Sequence, residues 1–269
     1  VKTITSRQHG FVARCRAAAA RSGAEAEVLL DGPHLVRDAL AAGVPIEMAG
    51  IATPSLEGAE MAALREALED AGIEVVALSG PVMDAASPVR TPSGIVAIAT
   101  LVPATLAAAL DGARPLVVVA AGVQDPGNVG AIVRAADAAG ATAVVMTEGC
   151  ASPFGWKALR GAMGSAFRLP VTHGVGVDDV LREARARGIV SVALVPEAGA
   201  DLYASDLTGP CLVLAGGEGQ GLGSLAELAD VRVRIPMAQG VESLNVAVAT
   251  GVVLFEAYRQ RAVAHRGAR

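Results

Sequence analysis

Apolar positions in the first hundred residues alternate between the spacing of a helix face and the short apolar runs of a strand. Residues 6–20 predict a helix. Residues 28–30 predict a short strand stopped by Gly32-Pro33. Residues 33–42 then predict a helix with proline in its first turn, where its missing N–H has no partner to lose. Residues 46–52, 56–71 and 73–78 repeat strand, helix, strand, and 95–101 closes the series as a strand. The pattern is that of a small α/β domain over residues 1–102.

Pro103 and Asp111-Gly112 mark residues 103–114 as a connector. Residues 116–121 form a β-branched apolar run that suits a strand buried on both faces. A helix is expected at 127–139, strands at 143–146, 190–195, 211–215 and 231–235, and a closing helix at 242–261. This alternation over residues 115–269 predicts a parallel sheet covered by helices, with ligands beyond the carboxyl ends of its strands.

Composition narrows the class. Apolar residues make up 52% of the chain and aromatic ones only 3%, so Ala, Val and Leu must build the interior. The uncharged run 91–110 contains Pro92 and Pro103, which break a membrane-spanning helix. No secretory leader is visible, and a soluble, cytoplasmic protein is expected. Cys15, Cys150 and Cys211 are far apart and read as small buried thiols, while the four histidines lack metal-ligand spacing, so no metal is expected. A net charge of −5 does not itself suggest nucleic acid. Distribution matters more. Lys2, Arg7, Arg14, Arg16 and Arg21 fall within a stretch free of acids, which reads as RNA-facing, and Arg259, Arg261, Arg266 and Arg269 end the chain. The excess of arginine over lysine, twenty to two, reads as a coding effect.

Three segments couple Gly- or Pro-marked turns to polar side chains: Asp125-Pro126-Gly127-Asn128 running on to Arg134, Leu214-Ala215-Gly216-Gly217-Glu218-Gly219, and Ile235-Pro236-Met237 running on to Ser243-Leu244-Asn245. Glycine lets a backbone approach a ligand, and such turns are where binding residues usually sit. The glycines do not match G-x-G-x-x-G, which disfavours a nucleotide-dependent oxidoreductase, and a P-loop is excluded. In order and spacing the segments resemble the three motifs of the SpoU (TrmH) family of RNA ribose 2′-O-methyltransferases, in the SPOUT superfamily. Ile4-Thr5-Ser6-Arg7-Gln8, Val28-Leu29-Leu30-Asp31-Gly32 and Thr91-Pro92-Ser93-Gly94-Ile95 look like the ribosomal-protein-like substrate-binding domain often fused ahead of it. The resemblance covers nearly the whole chain and is most specific after residue 116. It implies a deep trefoil knot, S-adenosylmethionine as methyl donor, and a homodimer whose catalytic domains pair near the knot.

Methyl transfer from a sulfonium needs alignment of a ribose hydroxyl and stabilisation of the oxyanion that develops on it. Ala215, Gly216, Gly217 and Gly219, following Leu214, suit a backbone lining for adenosine, and Ile235, Pro236, Met237 and Leu244 an apolar slot. Taken singly, each apolar residue could be core packing. The resemblance makes Arg134 the central catalytic residue, supported by Asn128, Glu218, Ser243 and Asn245, of which the last three also belong to the cofactor set. An arginine buried on a helix needs a phosphate or carboxylate partner, and Asp137 is the structural alternative. Arg134 cannot lose its proton, so it is expected to grip the RNA phosphate and the developing alkoxide. Ser243 could instead be the N-cap of the last helix. RNA contacts are expected from Arg7, Arg14, Arg16, Arg21, Thr91 and Arg134. Two residues depart from the family: Gly217 stands where asparagine is common, and Asp125 replaces the frequent asparagine before Pro126-Gly127.

These features predict a cytoplasmic RNA 2′-O-methyltransferase, with ribosomal RNA favoured over transfer RNA because of the first domain. A housekeeping and an antibiotic-resistance enzyme would look alike. The rivals are a transfer-RNA enzyme and a non-catalytic RNA-binding protein on the same fold.

Overall fold

A computed structural model describes residues 2–20, 27–217 and 221–267. The chain divides into two units: residues 1–102 with 154–167, and residues 103–153 with 168–269.

The first unit is a five-stranded mixed sheet of β1 (Lys2–Ile4), β2 (Glu27–Asp31), β3 (Ile46–Ala52), β4 (Glu74–Leu78) and β5 (Ile95–Thr100), in the order β1-β4-β3-β5-β2. β5 runs antiparallel to both neighbours and the remaining pairs are parallel. Helices α1 (Gly10–Ala20) and α4 (Gly80–Ala86) bury Phe11, Val12, Cys15, Val82 and Met83 in one cluster with Leu29, Leu78, Val96 and Ile98. Helices α2 (Pro33–Ala41) and α3 (Ala59–Asp70) complete it. The first helix starts four residues later than its apolar pattern suggests. Ser6 Oγ accepts from Gln8 N and His9 Nδ1 from Phe11 N, which holds that stretch as a turn.

The second unit is a seven-stranded sheet, parallel throughout, in the order β10-β12-β9-β11-β6-β7-β8. Its strands are β6 (Leu116–Ala121), β7 (Ala143–Thr147), β8 (Val171–Val175), β9 (Val190–Leu194), β10 (Ala200–Asp201), β11 (Cys211–Gly216) and β12 (Val231–Arg234). Every residue of β6 and β7 is buried, as their unbroken apolar runs require. Helices α5 (Leu106–Ala109) and α8 (Val177–Ala186) bury Ala109, Val180, Leu181 and Ala184 against Val117, Val119, Val145, Leu212 and Leu214. Helices α6 (Pro126–Ala138) and α9 (Val246–Gly267) pack on each other, and α9 also packs on β11.

Three features refine or correct the sequence reading. Residues 154–167, with α7 (Trp156–Ala162), belong to the first unit and interrupt the expected continuous stretch 115–269. The connector 103–114 carries α5, capped by Thr105 Oγ1 accepting from Ala108 N at 3.2 Å, and it packs on β7 and β8. The last helix begins at Val246 rather than Glu242.

Candidate active site

The carboxyl ends of β9 and β11 open onto a cavity of about 650 Å³, within the range of small-molecule sites. Ala215, Gly216 and Gly217 form one wall; Ile235, Met237, Ser243, Leu244 and Asn245 form another. Segments some twenty to thirty residues apart in sequence thus line one space, as β11 sits in mid-sheet while β12 lies beyond β9. Pro236 is exposed and Leu214 is buried in the sheet; neither lines the cavity. Glu218 and Gly219 lie outside the described residues. Leu194, Val195, Pro196, Leu222 and Ala226 also face the cavity and were missed in the sequence, although a proline after an apolar strand marks the strand end where ligands collect.

Glycine is required by close backbone approach at the end of β11. A Cβ on Gly216 would stand 2.1 Å from Gly221 C, and one on Gly217 would stand 2.1 Å from Gly122 O. Gly217 N also donates to Ala121 O at 2.8 Å, and Gly221 N to Gly217 O at 3.1 Å. An asparagine side chain has no room at 217, so the departure noted in the sequence belongs to this tight junction.

Two helix N-termini meet beside the cavity. Asp125 caps α6 by accepting from Asn128 N at 2.9 Å, which gives this residue a function asparagine shares. Asn245, not Ser243, caps α9: its Oδ1 accepts from Ala247 N at 3.0 Å and Val248 N at 3.3 Å. The other end of the same side chain donates to Asn128 Oδ1 at 2.9 Å. One asparagine therefore ends a cavity wall, starts a helix and fastens the first segment to the third. Ser243 is exposed on the cavity rim.

Arg134 is exposed, contrary to the expected burial. The stripe that α6 buries runs through Val129, Ile132, Val133 and Ala136, and residue 134 points off it. The alternative partner, Asp137, is held by Arg168 Nη2 at 2.7 Å. The guanidinium of Arg134 is therefore presented to solvent.

In the first unit the expected RNA contacts separate. Arg14 is paired with Glu27 and Glu47, and these hydrogen bonds raise its pKa and lower that of Glu47. Arg14 thus serves structure rather than presenting a free cation. Arg7 Nε donates to Pro81 O at 3.0 Å and Arg16 Nε to Ala85 O at 2.9 Å, so both are exposed and steadied along α4. Thr91 is exposed; Arg21 lies outside the described residues. Cys15 and Cys211 are buried, and burial pushes the Cys15 thiol up to about 12 and raises that of Cys211, which leaves both unreactive. Among the described residues no helix is long and apolar enough to cross a membrane.

Residues 115–255 match the model of the SpoU rRNA Methylase family, more than half of the chain. The chain belongs to that family. The 23S rRNA (guanosine-2'-O-)-methyltransferase RlmB of Ralstonia nicotianae is 44% identical over 157 residues, which are 57% of this chain and 63% of the relative. The chain thus covers less than two thirds of such curated relatives. The SpoU methyltransferase AviRb of Streptomyces viridochromogenes, solved with its cofactor AdoMet, superposes with a TM-score of 0.85 at 27% identity, covering 95% of this chain and 99% of that one. An AdoMet-bound rRNA methyltransferase from Sinorhizobium meliloti gives 0.80 at 31% identity, covering 96% and 97%. These two likenesses extend through residues 1–102, which the SpoU family model does not reach.

Proposed function

We propose that this SpoU family chain transfers a methyl group from S-adenosylmethionine to a ribose 2′-hydroxyl of ribosomal RNA. The observation that carries this is the joining of all three segments at one place: a cavity walled by the second and third, fastened by the Asn245–Asn128 hydrogen bond to the helix that presents Arg134.

The cavity suits adenosine, with apolar Ile235, Met237 and Leu244 for the purine and the backbone of Gly216 and Gly217 lining the opposite wall. When bound, the sulfonium supplies an activated methyl, so the protein's task is orientation and charge. Arg134, always protonated and without a carboxylate partner among the described residues, grips an RNA phosphate and the developing alkoxide. Asn128 and Asn245 fix the start of α6 relative to the cavity. Glu218 completes the set through the second segment. The first unit binds the RNA fold, with Arg7, Arg16 and Thr91 among its contacts, and favours ribosomal over transfer RNA. The return of residues 235–245 to the cavity after β12 supports a trefoil knot. Val248, Phe255 and Tyr258 lie exposed along one face of α9, at 54%, 51% and 54%, and this face joins two copies in a cytoplasmic homodimer.

Single-turnover methylation of deproteinised 23S rRNA, beside a cofactor titration on the same protein, tests the reading. Arg134→Ala is expected to bind S-adenosylmethionine normally and to transfer methyl roughly a hundredfold more slowly, the scale of losing one oxyanion donor. Arg134→Lys is expected to recover little, because a point charge lacks the two-pronged grip. Transfer at the parental rate by Arg134→Ala would remove the residue from the chemistry.

A further inference from the structure

Residues 154–167 leave the second unit's sheet after Pro153, join the first unit, and return at Arg168. Within them α7 buries Ala158, Leu159 and Ala162 and packs on β2, which leaves Arg160 on its outer side. The Arg160 side chain is 40% exposed, and its Nη1 lies 3.7 Å from Oδ1 of Asp31, whose side chain is 0% exposed. Asp31 ends β2. Its Oδ2 accepts from Ser87 Oγ at 2.5 Å, and that hydroxyl in turn accepts from Val89 N at 3.1 Å, so one carboxylate also fixes the start of the loop carrying exposed Arg90 and Thr91. Asp31 Oδ1 has no hydrogen-bond partner among the described residues.

A buried carboxylate satisfied at one oxygen only is a poor stabilising device. Desolvation raises its pKa against the pull of Ser87 and Arg160, and an apolar residue would fill such a position at less cost. What the arrangement does provide is direction. Charge attraction holds the inner side of the guanidinium toward Oδ1 without engaging it in a hydrogen bond at 3.7 Å. Its donors remain available toward solvent, and a planar fork held at its base suits a phosphate.

We propose that Arg160 is an RNA phosphate contact of the first unit and that Asp31 is its positioning residue. The second half of the sequence thereby contributes a residue to RNA capture outside the cofactor cavity. The proposal rests on an RNA substrate for the chain, not on which nucleotide is methylated.

The experiment uses the full chain and deproteinised 23S rRNA, measuring RNA affinity across a salt series, KM and kcat for methylation, cofactor affinity and thermal midpoint. Arg160→Ala is expected to raise the RNA KM about tenfold and to reduce the slope of log affinity against log salt by about 0.7–0.9, the value of one phosphate contact. Cofactor affinity and kcat should stay at parental values. Asp31→Asn, which keeps shape and removes the guiding charge, should raise the RNA KM without lowering the thermal midpoint, which a merely structural aspartate would not do. Arg160→Lys retains the ion pair and folds even if the alanine variant does not; it should keep the salt slope and regain part of the lost KM. A parental slope and KM in Arg160→Ala, or a loss confined to kcat, would overturn the assignment. If the parent binds RNA but transfers no methyl, the methylation reading fails, while a reduced slope in Arg160→Ala still sustains this one.

Discussion

The junction of Gly217 with Gly122 is the sharpest test of the cofactor site, because a single carbon atom decides it. In Gly217→Ala the new Cβ would start 2.1 Å from a backbone oxygen that no rotamer change can move. Ordinary contact begins well beyond 3 Å, so the two backbones must part by about 1 Å. That separation stretches the 2.8 Å bond from Gly217 N to Ala121 O beyond hydrogen-bonding distance. The lost bond costs about 1 kcal/mol, and overpacking adds about 1–3 kcal/mol. The end of β11 can relieve part of this by swinging outward, but the wall of the cavity moves with it. If about half the strain is relieved by displacing that wall, cofactor affinity falls about fivefold to thirtyfold, since each 1.4 kcal/mol is a factor of ten. Calorimetric titration of S-adenosylmethionine into parent and Gly217→Ala, with melting curves for both, measures the two shares. Gly217→Asn should be at least as impaired although it restores the residue common in the family. Binding within twofold of the parent by a Gly217→Ala protein of unchanged thermal midpoint would refute the argument from close approach.

Three further outcomes follow from particular contacts. Arg261 donates to Leu207 O at 3.0 Å, Arg114 O at 3.0 Å and Pro115 O at 3.2 Å, so Arg261→Met should destabilise by about 3 kcal/mol in denaturant unfolding and leave RNA affinity unchanged. Asp230 accepts from Ser191 N and Oγ, which lowers its pKa below the ordinary 3.8; its stabilisation is complete above that value and lost as pH falls through the depressed one. The stability gap between parent and Asp230→Asn should therefore be constant from about pH 7 to 5 and close toward pH 3; a gap independent of pH would rule out this linkage. Phe255→Glu should convert a dimer into a monomer in light scattering, and a variant that stays dimeric would move the interface away from the exposed face of α9.

The strands at residues 46–52 and 116–121 were legible to the residue because turn residues stand beside each, and the second is also an unbroken apolar run. The start of the last helix was not. Ser243 and Asn245 are about equally good caps in isolation, and what selects Asn245 is a bond from its amide to Asn128, 117 residues away. Burial of Arg134 was inferred from its helix as a whole, whereas its register sets it off the buried stripe. The partner of Asp137 was sought one helical step away and sits 31 residues on, at Arg168. The amphipathic α8 carried a helical spacing in Val177, Val180, Leu181 and Ala184 that went unread.

The acid-free N-terminal run shows where charge patterns mislead. Counting cations from 2 to 16 treats Arg14 like Arg7 and Arg16, but Glu27 and Glu47 come from β2 and β3 and neutralise only the middle one. Arg261 is the same case at the other end of the chain, a basic residue turned inward onto carbonyls. Conversely, Arg160 attracts no notice in the sequence, flanked as it is by Leu159 and Gly161, and only the packing of α7 on β2 sets it beside a buried carboxylate. A cation's availability to RNA is fixed by which carboxylates and carbonyls the fold brings to it. The motif glycines were legible for the opposite reason. Their requirement is local, a backbone that must pass within contact of another, and it leaves its mark in the residue type itself.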